Sequence, residues 1–137
     1  MKMFLCREFE GMFRLCYNMP KRMSAFWNPA DYKYFNINSK YGECIFPNFS
    51  WNNDVIEVDV SFNEGQEYYV TCDLSGTYRI HTDLPKFYSI FNKKANHLCE
   101  YWDAGKNSVM SLEKQFGDEL FNFNGEPIKI FMKIVAE

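Results

Sequence analysis

Between Asp54 and His81 the chain alternates apolar and polar residues with a period of two, interrupted by two short turns. This stretch limits the possible folds more than any other. Ile56, Val58, Val60 and Phe62 fall on one face of the first run, with Val55, Glu57, Asp59 and Ser61 on the other. After Asn63-Glu64-Gly65-Gln66 the pattern resumes with Tyr68, Val70, Cys72 and Leu74, and after Ser75-Gly76 with Tyr78 and Ile80. Period-two alternation marks half-buried strands, and turns this short join antiparallel neighbours. The expectation is a three-strand antiparallel meander over residues 54–81.

The flanking segments fill out the class. Leu84, Phe87, Tyr88, Phe91, Ala95, Leu98 and Trp102 follow helical spacing, with Thr82 or Asp83 as cap, Pro85 in the first turn and Gly105 at the end. They predict one long helix over about 84–103, packed on the apolar face of the sheet. A shorter helix is expected around Val109–Phe116, stopped by Gly117, and another after Asn28-Pro29. Residues 3–9 and 12–18 suit a hairpin around Glu10-Gly11. Ile128, Ile130, Met132 and Ile134 suit a C-terminal strand behind the Asn124–Pro127 turn. The reading is α+β, a mainly antiparallel sheet against one long helix and one or two short ones. With 137 residues, no linker and no internal repeat, it reads as a single domain spanning 1–137.

Composition removes several functional classes. Fifteen basic residues face 18 acidic ones, for a net charge of −3, and no basic run could displace counterions from a duplex backbone. No apolar stretch approaches the ~20 residues of a spanning helix, so no membrane role is expected. Arg7, Glu8 and Glu10 interrupt any signal-peptide core, and Cys6, Cys16, Cys44, Cys72 and Cys99 form an odd, widely spaced set. They read as free thiols of a cytoplasmic protein. No GxGxxG or GxxxxGK[ST] loop and no short-spaced His/Cys cluster occurs, so neither a nucleotide cofactor nor a metal is expected.

Two groups of residues are candidates for chemistry. On the polar face of the meander, one register places Glu57, Asp73 and Arg79 in one row and Asp59, Thr71 and His81 in the next. A histidine near carboxylates has the parts of a base–orienter pair, although cross-strand charge pairs on a solvated face are ordinary. Ile80-His81-Thr82-Asp83 resembles half of a two-histidine phosphoesterase signature, whose second element is absent around His97. The second group is aromatic. Phe, Tyr and Trp make up 19% of the chain, more rings than one small core needs. Phe46, Phe49 and Trp51 lie among Asn and Ser in the 46–53 loop, with Trp27 and Tyr32 before it. Such rings form partner-binding patches, or else fold back to close the end of the sheet.

These readings lead to a non-enzymatic accessory protein that binds an unidentified protein partner. Codon bias toward Phe, Tyr, Ile, Asn and Lys suits an AT-rich genome such as a phage or mobile element. The alternatives are a small hydrolase or transferase using His81 with Asp59 or Asp73 and Arg79, and a single-strand nucleic-acid binder that stacks bases on exposed rings.

Overall fold

A computed structural model describes residues 1–73, 75–103 and 110–135. In chain order the elements are β1 (Lys2–Arg7), β2 (Phe13–Cys16), β3 (Lys21–Arg22), β4 (Trp27–Asn28), β5 (Tyr34–Ile37), α1 (Ser39–Ile45), β6 (Ile56–Ser61) and β7 (Gln66–Cys72). There follow β8 (Tyr78–His81), β9 (Lys86–Asn92), β10 (His97–Asp103), β11 (Met110–Leu112), α2 (Lys114–Leu120) and β12 (Ile128–Ile134). Eight strands close into an antiparallel barrel in the order β1-β2-β5-β11-β8-β7-β12-β6, while β3–β4 and β9–β10 are separate two-stranded hairpins.

The barrel answers the problem that alternating strands pose. One apolar face must be buried and no backbone edge left open, and closure does both. The inward residues Met3, Leu5, Phe13, Leu15, Phe35, Ile37, Val58, Val60, Tyr68, Val70, Tyr78, Ile80, Met110, Leu112, Ile130 and Met132 are all buried in one core. Eight strands leave an interior that side chains of this size can fill.

The same unit of strand, strand, strand, helix, strand occurs twice. The first is β1, β2, β5, α1 and β6; the second is β7, β8, β11, α2 and β12. Each unit pairs its strands in the order fourth-first-second-third, and each carries an inserted hairpin between its second and third strands. Arg7↔Phe13 in the first hairpin recurs as Cys72↔Tyr78 in the second, and Phe4↔Cys16 as Tyr69↔His81. The units meet at two seams, β5–β11 and β6–β12. Phe35↔Leu112 mirrors Met110↔Ile37 across the first seam. At the second, Asp59↔Lys133 mirrors Phe131↔Ser61 about Val60↔Met132. The molecule therefore has an internal pseudo-two-fold axis. Its turn glycines match too, since Gly11 and Gly76 both take positive φ.

α1 and α2 follow β5 and β11, which run antiparallel, so the helices lie at opposite mouths of the barrel. Each begins at a carboxylate or amide cap: the Asn38 side chain accepts from the Tyr41 N–H, and that of Glu113 from the Phe116 N–H. Each also lays a glycine on a ring. A Cβ on Gly42 would sit 2.1 Å from Phe13, and one on Gly117 would sit 2.2 Å from Tyr78.

Several expectations are corrected. The class is a closed antiparallel β-barrel with two short helices, not a sheet against a long helix. Residues 86–103 form a β-hairpin, because Phe, Tyr, Ile and Trp favour a pleated strand over a helix and 93–96 form a turn with Asn96 at φ 52°. The meander over 54–81 is broken: β6 pairs with β1 and β12, not with β7. Alternation sets which face is buried but not which strand lies next door. The expectation of no internal repeat is also corrected: the two units share topology and register but few identical residues. Gly117 lies within α2 rather than ending a helix, and Asn28 is the last residue of β4, with no helix directly after Pro29. The N-terminal hairpin and the C-terminal strand are present.

Candidate functional site

The barrel separates His81 from Asp59 but brings Asp73 and Arg79 together. His81 is 1% exposed, and its Nε2 lies 2.8 Å from the Thr71 hydroxyl, itself buried. Asp59 is on β6, with β12 and β7 between it and β8. Three strand spacings and the register offset along the strands put it far beyond hydrogen-bond reach of His81. Asp73 sits in the β7–β8 turn, where it accepts from the Ser75 hydroxyl at 2.6 Å and the Thr77 N–H at 2.9 Å, with Arg79 at 3.4 Å. Burial pushes its carboxyl up, but the Ser75 and Thr77 hydrogen bonds and Arg79 together hold it below the usual aspartate value. Thr71 faces Arg79 in the register, and Tyr69 faces His81. The Thr71–His81 pair occupies the place that Cys6 and Cys16 hold in the first unit. There the two thiols lie in a second small core with Trp27, and the neighbouring Cys16 thiol and burial raise the Cys6 pKa far above its ordinary value.

The aromatic candidates are mostly occupied in packing. Phe46 and Phe49 close the main core against Phe13, each ring 6.2 Å from it. Trp27 and Trp51 meet edge to face at 6.2 Å, and the Arg22 guanidinium lies 4.3 Å from one ring and 4.7 Å from the other. Arg22 also donates to the Trp51 and Asn53 carbonyls. Beneath them the buried Glu8 accepts from the Trp27 N–H and from Arg14. Trp27 is buried and Trp51 half-buried. Tyr32 remains exposed, its hydroxyl donating to Glu119.

Exposed apolar side chains are spread over the surface, with Phe9 and Phe62 on barrel turns, and one group of them lies on and just before the longer inserted hairpin. Leu84, Phe87 and Phe91 are 64%, 51% and 55% exposed. Phe87, Ser89 and Phe91 share one face of β9, since residues two apart in a strand point the same way, and all three are exposed. The Phe87 ring packs tilted against Trp102 of β10 with centroids 5.2 Å apart, and Trp102 meets Phe123 edge to face. Lys86, Lys93 and Lys94 are exposed on the same arm. The shorter hairpin at 21–28 exposes Met23 and Phe26. Sequence reasoning missed Phe87 and Phe91 as surface residues by assigning them to a buried helical stripe. The signal available was the polar turn Lys93–Asn96 between two aromatic runs.

Among the described residues no three His, Cys, Asp or Glu side chains are grouped to hold a metal ion, and no helix is long and apolar enough to cross a membrane. No protein-family model matches the chain, and comparison with curated proteins and with solved structures finds no match.

Proposed function

We propose that the protein is a non-enzymatic binding protein that docks on another protein through the 86–103 hairpin. The observation that carries this is the exposure of Leu84, Phe87 and Phe91 on an arm outside a barrel whose core is already filled. Large rings left in water gain most when a partner covers them, and interface energy concentrates in such residues. Lys86, Lys93 and Lys94 are offset in the sequence by Asp83, Glu100 and Asp103, so the rings rather than net charge select the partner, which should offer an apolar groove. A photo-crosslinking residue at position 91 should capture one protein, in competition with unmodified chain, and the same residue at Glu67 on the barrel wall should capture none. Equal capture from both positions would refute the assignment.

The exposed rings also favour a second reading, a single nucleic-acid strand stacked on Phe87 and Phe91. Fluorescence anisotropy with a labelled oligothymidine separates the two. Binding that falls steeply with salt and is lost in Phe91→Ala would support the strand.

A further inference from the structure

The barrel mouth beneath α1 holds a cleft of about 550 Å³ whose lining includes Tyr41, Cys44, Gln66, Tyr68, Thr82 and Lys133. That volume lies within the range of small-molecule sites, and barrel mouths are a common place for them. Apolar surface predominates in the lining, which also carries the polar groups of Gln66, Thr82 and Lys133. The Tyr41 residue is only 8% exposed, and its hydroxyl is buried with no hydrogen-bond partner. A buried hydroxyl left unbonded costs about 1–3 kcal/mol.

The internal symmetry supplies a control. The pseudo-equivalent mouth, beneath α2, has a smaller cleft of about 320 Å³ lined by Met1, Val60, Ser61, Phe62, Asn63, Leu120, Phe121 and Ile130. At the positions of Tyr41 and Tyr68 the second mouth has Phe116 and Met3, both buried in the core. A phenyl ring therefore satisfies the packing of this helix position, and the fold does not require the Tyr41 oxygen.

We propose that the α1 mouth is a binding site for a small neutral molecule with an apolar ring and a carbonyl or carboxamide acceptor, which takes the Tyr41 hydroxyl proton in a hydrogen bond. The need for an acceptor follows from the phenol's protonation. Burial first, then the fields of Tyr68, Asp83 and Cys44, raise the Tyr41 pKa, and burial pushes Tyr68 up to about 12. Both phenols are donors at neutral pH. A carboxylate ligand is disfavoured by the Asp83 charge, and Lys133 is already bound to Glu64 at 2.9 Å. The site is distinct from the exposed rings of the hairpin, although Thr82 in its lining lies two residues before Leu84.

The probe is benzamide, titrated into isotope-labelled protein and followed by amide chemical shifts. The expected result is saturable shifts confined to 41–46, 66–68 and 132–134, with a Kd of ~1 mM as befits a fragment. Benzoate should bind more weakly. Tyr41→Phe should weaken benzamide about five- to tenfold, the loss of one neutral hydrogen bond, while toluene binding and the unfolding midpoint stay unchanged or rise. Cys44→Trp, at an exposed lining position, should block both probes. The absence of localised shifts at ~10 mM benzamide, equal affinity in Tyr41→Phe, or a destabilised Tyr41→Phe would each overturn the proposal.

Discussion

Gly42→Ala sets two known effects against each other. Within a helix, alanine is better than glycine by about 1 kcal/mol, so on propensity alone the substitution stabilises. The new Cβ, however, would lie 2.1, 2.4 and 2.7 Å from Cδ2, Cε2 and Cγ of Phe13, where carbon contacts settle near ~3.5–4.0 Å. The ring would have to retreat by more than about 1 Å. It cannot do so freely, because Phe13 is fully buried and bounded by Phe46 and Phe49. The Arg7 guanidinium covers it at 4.5 Å, itself held by the Gly11 and Phe49 carbonyls. Overpacking of this kind costs about 1–3 kcal/mol, and overlap with three ring carbons belongs at the top of that range. The net expectation is a loss of ~2 kcal/mol. Gly117→Ala should behave alike against Tyr78, whereas Lys40→Ala on the exposed face of α1 should stay within about 0.5 kcal/mol. Urea unfolding with a common m-value reads all three. A neutral or stabilising Gly42→Ala would show that α1 does not bear on Phe13, and the helix-on-ring packing would fall with it.

Phe91→Ala should shift unfolding by less than about 1 kcal/mol, because the ring stands on an exposed arm, yet weaken partner binding at least tenfold, as surface plasmon resonance would read. Trp51→Ala should cost ~2 kcal/mol in chemical unfolding, since the ring packs on Trp27 and holds Arg22; a change within 0.5 kcal/mol would detach the 46–53 loop from the second core. Asp73 has a folded pKa below its unfolded 3.8, so its stabilisation is present above that value and lost as pH falls through the folded one. The stability gap between wild type and Asp73→Asn should therefore hold at neutral pH and shrink below about pH 4; a gap independent of pH would contradict the assignment. Chains 1–63 and 64–137, expressed apart, should be unfolded alone and regain barrel circular dichroism when mixed, because each lacks the partner of two seams. Two stably folded monomeric fragments would refute the seam arrangement.

The faces of the strands were legible in the sequence and their neighbours were not. Val58, Val60, Tyr68, Val70, Tyr78 and Ile80 point inward as their alternation implies, because burial of one face is a local property of a strand. That β12 lies between β6 and β7 is a long-range fact which no local period records. The 84–103 segment failed differently. Leu84, Phe87, Tyr88 and Phe91 satisfy a helical stripe, but Phe87, Ser89 and Phe91 satisfy a strand face equally, and short aromatic runs do not separate the two periods. Thr71 and His81 alternate outward correctly yet are buried. An outward position is exposed only if no other part of the chain covers it.

The two units share identical residues at few places, among them Gly11 and Gly76, Arg14 and Arg79, Gly42 and Gly117, and Phe46 and Phe121. Each has a geometric task on the axis-related frame. The glycines turn a hairpin at positive φ or meet a ring, and the arginines pair with Glu8 and Asp73 respectively. Positions alike in both units are those the barrel itself demands. Positions that differ are released from that demand, and they fall into two kinds. Leu5 and Val70, or Val58 and Ile130, exchange one inward apolar side chain for another and conserve the core. Tyr41 against Phe116 adds a buried hydroxyl that packing does not need, and the 86–103 arm against 21–28 adds length and exposed rings that closure does not need. Both additions carry a solvation cost and leave the barrel's own contacts unchanged. A fold that sets its own reference twice in one chain thus points to the α1 mouth and the longer hairpin as the places where binding is to be sought.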